Sequence, residues 1–180
     1  RIESMYEHIE FKNAINMRKA NYDKFPSTKL TGMLVQGWDS IISMLKKKMD
    51  ARKVLAVDLY TGVYEEEVLD AFSKEFSGRV MNVRDLMKPE KEIQTLTERF
   101  MTEDVLFGYV TNLKLEDYLD ADKVAAARKQ ISEAKETIVI IGTGAAVVAP
   151  QDAMVVYADM ARWEIQQRFR RHEVKALGID

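Results

Sequence analysis

Cysteine is missing from all 180 residues, so disulfides, thiolate metal sites and thiol nucleophiles are excluded. A reducing cytoplasm is the default compartment for such a chain, and a cytoplasmic location is the expectation. Histidine is scarce too. His8 and His172 lie at opposite ends, and a zinc site built on histidines would need both, with carboxylates from elsewhere. Two surface histidines are the simpler reading. No serine sits on a Gly-x-Ser-x-Gly elbow, so a Ser-His-Asp triad has no support. No continuous apolar window is long enough to span a bilayer. The opening RIESMYEHIEF alternates charges with apolar residues where a signal peptide carries an apolar run. An excess of one charge is lacking as well. Twenty-seven basic side chains stand against 29 acidic ones, a net charge of −2, which exerts no general pull on nucleic acid or an anionic membrane. Neither is expected as a partner.

What is present is an ordinary globular composition, 47% apolar and 31% charged. One domain of this length buries about 70% of the surface its unfolded chain exposes. Residues 1–20 have helical spacing, and 21–32, with Pro26 and Gly32, read as an irregular link. Trp38, Ile41, Ile42, Leu45 and Met49 recur at helical spacing, and Lys46–Lys48 suit the negative end of that helix's dipole. VLAVDLY is a β-branched apolar run fit for a strand covered on both faces. EEEVLDAFSKEF follows as an amphipathic helix ended by Gly78, and RVMNVRDLM as a second strand. Residues 90–101 are helical in pattern, and DVLFGYV, 104–110, lies between strand and loop. EDYLDADKVAAARKQISEAK is a helix rich in strong helix formers. TIVIIG is the most apolar strand, with AAVVAP continuing it after a bend. AMVVYAD is a further strand, and MARWEIQQRFRRHEVKAL the last helix. Strands alternating with helices imply crossovers and a mainly parallel sheet covered on both faces. The expected fold is therefore an α/β three-layer sandwich of about five strands. A helical segment, 1–52, would pack on an α/β core, 53–180, as one domain. The well-patterned helix running to the end leads to the expectation that the natural chain continues past Asp180.

The turn after VLAVD is where many α/β proteins hold a phosphate. Such a loop has the form Gly-x4-Gly-Lys-[Ser/Thr], with backbone N–H groups, a lysine and a hydroxyl aimed at the oxygens and their Mg²⁺. Here it becomes Leu59-Tyr60-Thr61-Gly62-Val63-Tyr64, and Glu65, Glu66 and Glu67 stand where the lysine and hydroxyl belong. At roughly 5 Å and an effective dielectric of 20, each carboxylate–phosphate pair costs about 3 kcal/mol. A nucleotide triphosphate is not expected to dock. Acids in a first helical turn complement the helix dipole, by about 0.3–1 kcal/mol each, and Asp58 or Thr61 offers capping oxygens. This self-capping is the plainer explanation; a bound cation or a basic partner is the alternative. Asp58, Tyr60, Thr61, Gly62, Glu65 and Glu66 thus mark a degenerate phosphate loop.

The second glycine turn, Gly142-Thr143-Gly144-Ala145-Ala146-Val147, lacks the third glycine of a dinucleotide fingerprint and reads as a tight turn. A kinase would also want a carboxylate for Mg²⁺ at the end of a core strand, where TIVII ends in Gly142. The last helix carries Arg162, Arg168, Arg170, Arg171, His172 and Lys175. Guanidinium matches phosphate bidentately, so Arg162, Arg168, Arg170 and Arg171 are candidates for gripping an anion or a partner. A solvated face is the plainer reading, since basic residues near a helix C-terminus suit the dipole, and Glu164 lies four before Arg168 in the favourable order.

The strings NYDKFPSTKLTGMLVQGWDSI, YTGVYEEEVLDAF, FGYVTNLKLEDYLDADKV and VYADMARWEIQQRFRRHEVKALGID resemble the amino-terminal region of Bacteroides-type class I mannose-6-phosphate isomerases. The likeness runs from about Asn21 to Asp180. In that family a cupin-type β-barrel carries the zinc and the isomerase site, and it would lie beyond Asp180. The resemblance therefore implies zinc only for that absent domain and no cofactor, metal ligand or catalytic residue here. The implied partner is the C-terminal isomerase domain of the same chain. The element order is also similar to P-loop kinases of the uridine-kinase type, in which a final strand leads into an arginine-rich helix. The expectation is a catalytically silent, kinase-like accessory domain in carbohydrate metabolism. Two alternatives stay open. One is an active nucleoside or sugar kinase with Asp58 as base and Arg162 or Arg168 as phosphate clamp. The other is a homo-oligomerisation or interaction module.

Overall fold

A computed structural model describes residues 22–23, 26–29, 31–104 and 108–179. The chain divides into two units, Arg1–Leu34 and Val35–Asp180. In the first, the described residues are exposed and form no helix or strand; the helices expected over 1–20 lie outside the described residues. The second unit runs α1 (Trp38–Met49), β1 (Val54–Leu59), α2 (Glu65–Glu75), β2 (Arg79–Asn82), a 3-10 turn (Val83–Leu86), α3 (Glu90–Thr97) and a second 3-10 turn (Glu98–Phe100). It continues through α4 (Leu115–Tyr118), α5 (Ala121–Glu133), β3 (Ile138–Gly142), α6 (Ala145–Val148), β4 (Met154–Ala158) and α7 (Arg162–Arg170).

The four strands form one parallel sheet in the order β2-β3-β1-β4. All six residues of β1 and all five of β3 are buried, as expected of strands covered on both faces. Side chains alternate across the sheet. Val54, Ala56, Ile138 and Ile140 pack with Val124, Ala127 and Ile131 of α5 and Ala145 and Val148 of α6. Leu55, Val57, Leu59, Val139 and Ile141 pack with Ile42, Leu45 and Met49 of α1 and Val68 and Phe72 of α2. Two helical layers therefore enclose the sheet. Helix α5 starts under a side-chain cap, the Asp120 carboxylate accepting from the N–H groups of Asp122 and Lys123 at 3.0 Å each.

The sheet has four strands rather than about five. The stretch 104–110, which reads between strand and loop, forms no strand at its described positions, Asp104 and residues 108–110. AAVVAP is not strand but the single helical turn α6, stopped before Pro150. Strand β2 ends at Asn82, whose side-chain oxygen accepts from the Arg84 N–H at 2.8 Å and folds the chain into the 3-10 turn. The long helix read over 116–135 is two helices, broken where Leu119 bridges Met87. Helix α2 ends at Glu75, before Gly78. Glycine is needed at 78 because a Cβ there would sit 2.0 Å from the Thr137 carbonyl oxygen.

Helix α2, following β1, packs on one face, whereas α6, following β3, packs on the other. Adjacent strands thus send their connections to opposite sides. The crevice outside their carboxyl ends is the topological switch point of the sheet, the usual ligand position in open α/β folds.

Candidate functional site

Asp58, the fifth residue of β1, is 8% exposed and the one buried charged side chain among the described residues. Parallel register places it beside Gly142, so its carboxylate reaches the turn that follows β3. Oδ1 accepts from the Gly144 N–H at 3.1 Å and Oδ2 from the Ala146 N–H at 2.8 Å. The turn is shaped for this. Gly142 and Gly144 have φ of 133° and 92°, and a Cβ on Gly142 would meet the Val83 Cβ at 2.8 Å. The first N–H groups of a helical turn, which elsewhere receive a bound anion, here receive an anion of the chain itself. Neither Asp58 nor Thr61 caps α2. The position before that helix is Tyr64, whose side chain caps none of the helix N–H groups, because sheet register directs Asp58 to α6 instead.

The Tyr60–Tyr64 loop is closed by a Val63 N–H to Tyr60 O bond at 3.1 Å, and helix α7 lies against it. Gly62, with φ 97°, is buried under Ile165, whose Cγ2 would stand 3.0 Å from an added Cβ. Arg168 ties the two elements together: Nη1 donates to Gly62 O at 2.8 Å, and the guanidinium lies 3.7 Å above the centre of the Tyr64 ring. Its Nε donates to Glu164 at 3.2 Å, and its side chain is only 15% exposed. Arg171 is bound to Glu164 at 3.2 Å and to both oxygens of Glu173, at 2.6 and 2.8 Å. The Tyr64 hydroxyl donates to Glu173 at 2.7 Å. The Arg171 bonds, then that from Tyr64, hold the Glu173 carboxyl down at about 2. The Tyr64 phenol is pushed up, chiefly by its bond to Glu173.

Beyond α7 the chain turns sharply at His172, φ 55°. Residues 172–178 then run back over the carboxyl edge of the sheet as a strap. Leu177 and Ile179 pack against the α5-side core, Ile179 O accepts from Arg84 Nη2 at 3.1 Å, and Gly178 lies against Ile93 so closely that a Cβ would come within 2.3 Å of it. Between strap, loop and the ends of β2 and β3 lies an open cleft of about 740 Å³. Glu65, Glu66, Glu67 and Glu173 line it with Arg84, Lys175, His172, Asn82 and Thr143.

The expected site residues therefore separate. Tyr60, Thr61, Gly62, Glu65 and Glu66 border the cleft. Glu67 does too, and it accepts from the Trp38 indole N–H at 2.9 Å. Asp58 and the four arginines are not in its lining. Arg168 and Arg171 are occupied by carboxylates of their own chain, and Arg162 and Arg170 are exposed, Arg170 lying 6.0 Å from the Trp163 ring centre. Sequence reasoning passed over Tyr64, Glu173 and the strap. The one local signal was Glu173 two residues after Arg171, inside a stretch whose composition reads as continuous helix. Among the described residues no group of three or more His, Asp or Glu is placed to hold a metal ion, and no helix is long and apolar enough to cross a membrane.

Compared with known sequences, residues 37–180 match the family described as "Domain of unknown function (DUF8485)". No curated protein and no solved structure matches the chain.

Proposed function

We propose, from the premise that this chain belongs to the domain of unknown function family DUF8485, that it is a catalytically silent α/β scaffold of the P-loop-kinase type. It serves as the N-terminal accessory domain of a class I mannose-6-phosphate isomerase. The observation that carries the silence is the engagement of Asp58, the strand-end carboxylate that a kinase would use: both its oxygens are held by the N–H groups of Gly144 and Ala146 in the turn after β3. Two further observations support it. The loop glycine is packed under Ile165 with its carbonyl held by Arg168, and four carboxylates, Glu65, Glu66, Glu67 and Glu173, face the cleft against Arg84 and Lys175. Triphosphate oxygens would meet net negative charge there. The kinase-like scaffold is supported by a central β1 leading directly into the loop and α2, and by the basic helix after the last strand.

Isothermal titration of the chain with Mg-ATP and with mannose 6-phosphate is expected to give no heat of binding up to millimolar ligand. Micromolar nucleotide affinity that disappears in Thr61→Ala would reject the reading. The accessory role has its own test in the isomerase: removing these residues is expected to leave the zinc-dependent turnover of the remaining enzyme in place.

A second reading, an active nucleoside or sugar kinase, is favoured by one feature, the size of the cleft. It would require Asp58 to give up two backbone bonds before acting as a base. A phosphotransfer assay over nucleosides and hexoses decides it, and turnover abolished by Asp58→Asn in a chain that still folds would establish it.

A further inference from the structure

The two edges of the sheet are built differently. β2 is four residues long, opens with Arg79 and breaks at Asn82 into a 3-10 turn. Shortness, charge and an abrupt end are ordinary protections of an edge strand. β4, Met154-Val-Val-Tyr-Ala158, carries no charge, proline or break within its span, and among the described residues its far side pairs with no strand. Met154, Val156 and Ala158 face the α1 and α2 side and pack into that core. Val155 and Tyr157 face the other way, in register with Ala56 and Asp58 of β1. They are 54% and 58% exposed, and Tyr60, 43% exposed, stands edge-on to Tyr157 at 6.4 Å. Unspent backbone donors and acceptors therefore run beside an uncovered apolar patch.

We propose that β4 pairs antiparallel with β4 of a second copy of this chain, about a two-fold axis at Val156, extending the sheet to eight strands. The strand's own sequence favours a copy over an unrelated peptide. In that register Met154 faces the partner's Ala158, and Val155 faces the partner's Tyr157, so a β-branched–aromatic pair of the favourable kind forms twice by symmetry. The flanking Asp159 faces the partner's Ala153, and no like charges are set opposite one another. At a net charge of −2 per chain, repulsion between copies is small. A two-fold arrangement also closes on itself, consuming both open edges and leaving only the two guarded β2 edges. The inference does not rest on catalytic silence, since a kinase could dimerise through the same edge.

Sedimentation velocity on the chain is expected to show a dimer at tens of micromolar, with the amides on the free side of β4 slow to exchange. The Val155→Lys/Tyr157→Lys variant places like charges opposite one another on an exposed face and is expected to be monomeric with an unchanged thermal melt. Register is read separately. Because the chain has no cysteine, mixing Val155→Cys with Tyr157→Cys protein is expected to yield a disulfide-linked heterodimer under mild oxidation, while either alone yields little. A monomer with protected β4 amides would mean that another segment of the chain covers the edge, and a monomer with fast-exchanging ones would mean that it stays bare. Either overturns the proposal, as does a dimer indifferent to the two lysines.

Discussion

A carboxylate accepting two backbone N–H bonds in a buried turn is expected to matter more than any residue on the acidic helix start. Replacing Asp58 with alanine leaves the N–H groups of Gly144 and Ala146 without acceptors, and asparagine turns an amide donor toward one of them. Hydrogen bonds to a charged group contribute about 1.5–3 kcal/mol, and an unsatisfied buried donor costs a similar amount. Asp58→Asn and Asp58→Ala are therefore expected to lower unfolding free energy by about 2–3 kcal/mol. Glu66→Gln, on the exposed first turn of α2, should stay within about 0.5 kcal/mol. Urea denaturation with unchanged slopes measures both, and equal losses would remove Asp58 from its structural role. The importance of this residue was half legible in the sequence. An aspartate at the end of a buried strand stands out, but its partners lie 86 and 88 positions away. Only the pairing of β1 with β3 brings them together. For the same reason Arg168 and Arg171 looked like anion ligands when their chemistry alone was considered. The Glu164 partner of Arg168 was legible four residues before it, but its bond to the Gly62 carbonyl depends on where α7 docks, and the hold of Arg171 on Glu173 depends on where the chain turns after the helix.

At the scale of elements, strands and helices with an unbroken period were readable, and those shaped by distant contacts were not. α1, α2, β1 and β3 carry their burial in their spacing. α6 reads as strand because Val147 and Val148 are β-branched, yet it folds as a helical turn because Asp58 caps it from another strand. The last helix reads through to Leu177 because nothing in RRHEVKAL is a breaker. It stops at Arg170 because Leu177 and Ile179 find the core only if the chain reverses. The strap's outer end is held by exposed ionic bonds, so it is the element most open to acid. Glu173 has its pKa lowered from 4.5 to about 2, which means that its contribution is complete above pH 4.5 and fades as pH falls toward 2. Amides of 173–178 are expected to lose exchange protection in that window, ahead of those in β1 and β3. Glu173→Gln should loosen the same amides already at neutral pH and flatten the pH dependence. The global melt should hardly move, because exposed ion pairs contribute little. Loss of strap protection in step with the sheet would show that the strap is held by its apolar contacts alone.

For the molecule as a whole, composition and alternation pointed to an α/β sandwich, and the sheet order followed only from the structure. The core lies on the two faces of one sheet, and among the described residues every buried apolar side chain lies between Ile42 and Ile165. The compact unit begins at Val35 and the family match at residue 37, two boundaries that coincide without sharing a cause. One comes from contacts and the other from sequence. Helical periodicity says which face of α1 is buried, and Ile42, Leu45 and Met49 bury that face in the core under one side of the sheet. The consequence is a prediction about folding. A chain beginning at Val35 keeps every buried side chain described on both faces of the sheet, so it should unfold in a single cooperative transition. Its midpoint should lie within about 4 °C of the full 180-residue chain, the shift that about 1 kcal/mol produces at this size. Calorimetry on both chains measures it. A truncated chain that melts broadly, or much earlier, would mean that residues 1–34 supply part of the stabilising surface. Starting the chain instead at Lys53 deletes α1, removing Ile42, Leu45 and Met49 from the core and Trp38 from the edge of the Phe72 ring, and is expected to abolish the cooperative transition.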